Sequence, residues 1–177
     1  MKQMLRLTLL AAFVALTMAH AARAADSREA EVKQALEFFL KADPELKKFF
    51  DGAAGYAAFP SVGKGAVGIG AAHGTGLVYE KGKLIGAASL TQLTIGFQLG
   101  GQSYSELIFF ESKDALNAFK ESKFALSAQV SAVAAASGAS ANAKYQQGAV
   151  VFTLAKGGLM YEASVGGQKF KFTPVHE

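Results

Sequence analysis

The 177-residue chain is 51% hydrophobic, sets 18 Lys and Arg against 14 Asp and Glu, and contains no cysteine. That composition excludes a disulfide framework and a cysteine-linked lipid anchor, and it leaves enough apolar sequence for one well-packed core. The basic balance is no signal for nucleic acid, because much of it sits in a segment expected to be removed.

Residues 1–24 have the layout of a secretory signal peptide. Lys2 and Arg6 give a basic start, Leu7 to Met18 is uncharged and apolar, and Ala22-Arg23-Ala24 offers a small-residue cleavage site. The apolar run is short for a stable membrane span. Loss of Lys2, Arg6 and Arg23, with all fourteen acids retained, lowers the formal net charge from +4 to +1. A nucleic-acid partner then has no global electrostatic support. Residues 25–177 are expected to form a single domain, exported to a periplasmic or extracellular location, with membrane association left open.

Asp26 to Lys41 reads as a helix. Val32, Ala35, Leu36, Phe39 and Leu40 repeat at the spacing of one apolar face, while Lys33, Glu37 and Lys41 recur every four residues on another. Asp43-Pro44-Glu45 supplies a fresh helix start, and a short second helix carries Leu46, Phe49 and Phe50 up to Gly52.

Beyond Pro60 glycine recurs too often for helices. Gly76–Glu80 and Lys83–Ala88 read as strands joined by a turn at Lys81-Gly82. Leu90–Leu99 and Ser103–Phe110 read as a second hairpin turning at Gly100-Gly101. Ser112 or Asp114 is set to cap a helix that buries Leu116 and Phe119. The alanine-rich tract after Lys123 favours helix by propensity, but Phe124, Leu126, Ala128, Val130 and Ala132 alternate with polar residues, which predicts a strand. Ser137–Asn142 reads as a loop. Gly148–Ala155, Leu159–Val165 and a final stretch around Phe170 and Phe172 complete the strands. Gly65-Ala66-Val67 before Gly76–Glu80 is echoed by Gly148-Ala149-Val150 before Gly158–Glu162, a pattern that fits either pseudo-symmetry or compositional chance.

Catalytic patterns are weak throughout. Gly63 to Gly68 fits G-x-G-x-x-G, but Gly70, Gly74 and Gly76 continue the glycines through the place where a phosphate-binding helix would begin. Close packing is the better account of them: glycine in strands marks bends or a near approach by other chain, here the N-terminal helix or an opposing sheet. Ser61-Val62-Gly63-Lys64 matches S-x-x-K without its partner motifs. Only His73 and His176 remain beyond the signal segment, so neither a metal site nor an acid/base pair can be assembled. No enzyme, cofactor or metal is expected.

Residues 33–50 mix Phe38, Phe39, Leu40, Leu46, Phe49 and Phe50 with Lys33, Lys41, Lys47 and Lys48. That mixture suits an interfacial membrane helix. It equally suits two surface helices whose phenylalanines face the core, and Glu37, Asp43, Glu45 and Asp51 balance the lysines.

Several short motifs in fixed order resemble the SYLF domain family. They are Pro60-Ser61-Val62-Gly63-Lys64-Gly65, Gly74-Thr75-Gly76-Leu77-Val78, Gly96-Phe97-Gln98-Leu99-Gly100, Lys123-Phe124-Ala125-Leu126, and Gly158-Leu159 with Ser164. The likeness runs over roughly residues 32–170. His73 stands where the family has a basic residue, Ser127 replaces a glycine, and Tyr161 and Glu162 replace alanine and glycine.

The resemblance implies binding of anionic lipid head groups, phosphoinositides in particular, and in fungal members actin. Carried onto this chain, it points to Lys33, Lys41, Lys47, Lys48 and Lys64 as head-group contacts, with Phe38, Phe49 and Phe50 inserting into the membrane. An exported member is not expected to meet actin, whereas an envelope protein partner fits the alternative of a structural or interaction module without lipid specificity. The expected fold is α+β: a curved, mostly antiparallel, glycine-rich sheet, sandwich- or barrel-like, with two N-terminal helices and one middle helix.

Overall fold

The computed structural model describes residues 26–65, 70–94, 103–127, 130–156 and 165–175. Helix α1 spans residues 26–42 and leads through a 3-10 turn, Pro44–Leu46, into α2, Lys47–Gly52. Strands β1 (Gly55–Gly65), β2 (Gly70–Glu80), β3 (Lys83–Thr94) and β4 (Ser103–Phe110) follow, then helix α3 (Lys113–Lys120). A two-residue strand β5 (Val133–Ala134), a 3-10 turn (Ala139–Asn142), β6 (Ala149–Ala155) and β7 (Gln168–Pro174) complete the described elements.

These strands form one sheet in the order β5-β6-β4-β1-β2-β3-β7. Every pairing is antiparallel except β5 with β6. The α+β class, the mostly antiparallel sheet and the helices at the N-terminus and middle are as expected. Closure is not: among the described residues the sheet is open, and helices or chain cover both faces instead.

Alternation along the strands divides the apolar side chains between those faces. On one, Val32 and Phe39 of α1 and Leu46 and Phe49 near α2 meet Ala58, Leu77, Leu107, Phe109, Val150 and Phe152. On the other, Leu116 and Phe119 of α3, with Phe124, Leu126 and Val130, meet Ala57, Val78, Ile108, Phe110 and Val151. Strand β4 is buried on both sides from Tyr104 to Phe110, as a central strand between two layers must be.

Gly63 and Gly65 belong to a hairpin. Gly63 pairs with His73 and Gly65 with Ala71 across β1 and β2, so the next described element after these glycines is a second strand, where a phosphate site would need a helix. Packing does explain Gly76, with a different neighbour from those expected. A Cβ there would strike the Ala58 carbonyl oxygen and come within 2.8 Å of the Phe59 ring, both on the adjoining strand. The crowding has a local cause: β1 shifts register between Ala58 and Ser61, around Pro60, which has no N–H to give a ladder. The freed Pro60 carbonyl accepts a hydrogen bond from Ser105 Oγ at 2.8 Å.

Lys81 and Gly82 form the predicted turn, both with positive φ, as a two-residue hairpin requires. The second predicted hairpin does not form. Leu90–Thr94 completes β3 opposite the long first half of β2, and β4 lies between β1 and β6. Residues 95–102, including Gly100-Gly101, lie outside the described residues, as do Leu159–Ser164 and the second half of the sequence echo. Ser112 caps α3, accepting from Ala115 N–H at 3.2 Å. The strand predicted for the alanine-rich tract does not form among the described residues: Phe124, Leu126 and Val130 point inward as the alternation suggests, but only isolated bridges and the two-residue β5 after them join the sheet. Ladder contacts there are local: Ala125 bridges Lys169, and β5 pairs with Phe152 and Thr153.

Candidate functional site

Helix α1 buries Val32, Ala35 and Phe39 and half-buries Leu36, but Leu40, expected on the same apolar face, lies at its edge and is exposed with the rest of the helix. Lys33 and Lys41 are exposed, and with them Phe38 at 52% and Leu40 at 37%. Among the described residues Phe38 is the aromatic left most open to solvent, and it stands next to Lys41 at the cavity described below. The cover that α1 provides is partial. Ala58 and Leu77 lie under the helical layer, whereas Ser61, His73, Thr75 and Thr91 on the same side of the sheet are exposed.

Helix α2 makes the opposite use of similar residues. Phe49 is 6% exposed, and its ring packs on Phe109, Tyr145 and Phe152 at centroid distances of 5.5, 5.8 and 5.2 Å. Phe50 stands edge-on to Phe109 and Tyr56 at 4.8 and 5.1 Å. Both rings fix α2 to the sheet and are therefore poorly placed to enter a membrane. Lys48 Nζ donates to the carbonyl oxygens of Ser140 and Ala141 at 2.8 and 3.1 Å and lies 5.2 Å from the Phe49 ring centroid. Lys47 pairs with Asp51 at 2.9 Å, four residues on. Lys64 sits opposite Ala72 in the β1–β2 register, and its side chain lies outside the described residues.

Asp43, at the corner between the two helices, does more than the predicted capping. Its Oδ1 accepts from Glu45 N–H at 3.2 Å, and its fully buried Oδ2 side accepts from Ser140 N–H at 2.7 Å, tying the helical corner to the turn at 139–142. Burial alone would raise the carboxyl pKa, but hydrogen bonding from Ser140, Glu45 and Gly138 together outweighs it and holds the group below its ordinary value. On the far face Gln168 Nε2 donates to buried Glu106 Oε2 at 2.8 Å, and the Tyr104 hydroxyl is pushed well above its usual pKa by burial and by the Glu106 charge. Neither buried acid was legible as such in the sequence.

Where the end of α1 meets the sheet there is an open cavity of 560 Å³. Phe38, Lys41 and Ala42 supply one wall, Ser105 of β4 the floor, and Leu154, Ala155 and Lys156 of β6 and its extension the other wall. Ser105 and Leu154 are direct register partners, and Lys156 N–H continues the ladder to Ser103 O at 3.0 Å. The site thus joins two predicted residues, Phe38 and Lys41, to a lysine that sequence reading missed. Its signal was faint: a lysine directly after a buried strand.

Among the described residues no three His, Cys, Asp or Glu side chains come together as a metal site would require, and no helix is long and apolar enough to cross a membrane.

Residues 91–173 match the family described as "Ysc84: Las17-binding protein actin regulator". The chain is also 30% identical over 134 residues to "Beta cell expansion factor A" of Aeromonas veronii, an alignment covering 72% of this chain and 49% of the relative. The chain therefore spans about half the length of that protein.

Proposed function

The chain carries a domain of the SYLF (Ysc84) family over residues 91–173, a lipid-binding and actin-regulator type of domain, and from that premise we propose that it is a non-catalytic protein that docks on anionic phospholipid surfaces. The observation that carries this reading is the exposed face of α1, which holds Lys33, Glu37 and Lys41 along its middle and has Phe38 and Leu40 open to water at its two edges. Apolar groups of that size gain by entering the acyl boundary, and each lysine near an anionic surface adds about 1 kcal/mol. Export to the cell envelope follows from the signal-like residues 1–24, and it removes actin from the partners this chain would meet.

Sedimentation with vesicles tests it directly. Phosphatidylglycerol-containing vesicles at low salt should carry the protein down, phosphatidylcholine vesicles should not, and added salt should weaken the association. Phe38→Asp combined with Lys33→Glu and Lys41→Glu should reduce binding by at least about tenfold, as three added negative charges and a lost insertion group require. Failure of the unaltered protein to sediment with anionic vesicles would replace this reading with a structural or protein-interaction module of the envelope.

A further inference from the structure

The cavity beside α1 has a composition that selects its occupant. Its carbon-lined walls come from Phe38, Ala42, Leu154 and Ala155, and among the described residues its lining holds two cations, Lys41 and Lys156, and no acid. The one hydroxyl, Ser105 Oγ, already donates to Pro60 O. A peptide segment lying there would bring N–H and C=O groups that need partners the walls do not offer. A free phosphate would leave the apolar walls unused. The lining asks for an apolar body with a negative end, and 560 Å³ falls within the roughly 300–1,000 Å³ of small-molecule sites.

We propose that this cavity holds one acyl chain of an anionic phospholipid, with Lys41 and Lys156 engaging its phosphate at the rim. The assignment rests on the membrane-docking reading and deepens it: α1 brings the protein to the bilayer, and the cavity takes a single lipid tail out of it. Exposed Phe38 stands at the lip, where it reaches both the acyl boundary and the cavity. The lysine stems extend the apolar wall while their ammonium groups stay in water, so chain and head group are served by the same two side chains.

Isothermal titration with decyl phosphate below its micelle concentration tests the site without a bilayer. Saturable binding is expected for decyl phosphate, none for inorganic phosphate, and binding at least about tenfold weaker for uncharged decyl maltoside. Lys156→Glu, an exposed change far from α1 in sequence, should weaken decyl phosphate by about tenfold or more. Ala42→Phe, which fills the cavity, should abolish it; should that variant unfold on heating below the unaltered protein, Lys156→Glu decides alone. Equal binding of decyl and inorganic phosphate, or full binding by Lys156→Glu, overturns the proposal. Vesicle sedimentation separates the two readings: a protein that sediments but takes up no decyl phosphate refutes the acyl site and keeps membrane docking, whereas the reverse pattern refutes docking and keeps the site.

Discussion

Helices α1 and α2 are built from the same materials, phenylalanine and lysine in similar proportion, yet they spend them differently. In α2 the rings of Phe49 and Phe50 are wedged against Phe109, Phe152 and Tyr56, and both lysines have partners within the protein. In α1 only Phe39 of the two phenylalanines goes inward, with Val32 and Ala35, while Phe38 and Leu40 stay exposed at the edges of a face that carries Lys33, Glu37 and Lys41. Composition made the two segments look like one membrane-binding unit. Placement makes one an anchor to the sheet and leaves the other available to a surface.

That contrast can be broken most severely at Phe49. Phe49→Ala should cost about 3–5 kcal/mol in chemical denaturation, the range for a buried aromatic replaced by a cavity, while leaving vesicle binding per folded molecule unchanged. Loss of vesicle binding at full stability would show that α2 faces the membrane after all. Asp43→Ala comes next, with about 1–3 kcal/mol lost because the N–H groups of Ser140 and Glu45 would be left unpaired in a buried corner.

Asp43 also sets a pH dependence. Its folded pKa lies below the unfolded value of about 3.9, so its contribution is fully present above that value and is lost as pH falls through the folded one. Acid titration of the unaltered protein should therefore show a loss of stability below about pH 4 that is smaller in Asp43→Ala. Lys48→Met, which keeps the stem and removes two hydrogen bonds to carbonyl groups, should cost about 1 kcal/mol. Smallest in stability are Phe38→Ser and Lys47→Ala, each within about 0.5 kcal/mol. These two sharpen the comparison, since Phe38→Ser should weaken vesicle binding severalfold and Lys47→Ala, whose charge Asp51 already balances, should barely change it.

Periodicity and turn chemistry made the local elements readable. The apolar spacing of Val32, Ala35 and Phe39, the Asp43-Pro44 start, the Lys81-Gly82 turn and the Ser112 cap each act within a few residues, and each is where the sequence places it. Partnerships across the chain were harder. Leu90–Thr94 looked like the start of a new hairpin because nothing local tells a strand how long its neighbour is, and β2 is long. The glycines were legible as sites of close approach, but the approaching chain was the next strand at a bulge around Pro60. For the site, Lys33, Lys41 and Phe38 followed from an amphipathic pattern. That Phe49 faces the sheet and not a membrane could not, because a two-turn helix carries too little periodicity and only its packing on Phe109 and Phe152 decides it. Lys156 escaped notice since it is a cavity residue only through the pairing of β6 with β4.

The position of β7 has a consequence for how the molecule comes together. Its partner β3 precedes it by some eighty residues, and their ladder runs from Gly86 with Pro174 to Gln92 with Gln168. Until that ladder closes, one whole flank of β3 offers bare N–H and C=O groups to any passing strand. A polypeptide interrupted before residue 168 would lose that cover together with Phe170, whose ring packs on Phe59, Phe119 and Phe124, so the last strand both fills the core and closes a border open to edge-to-edge pairing.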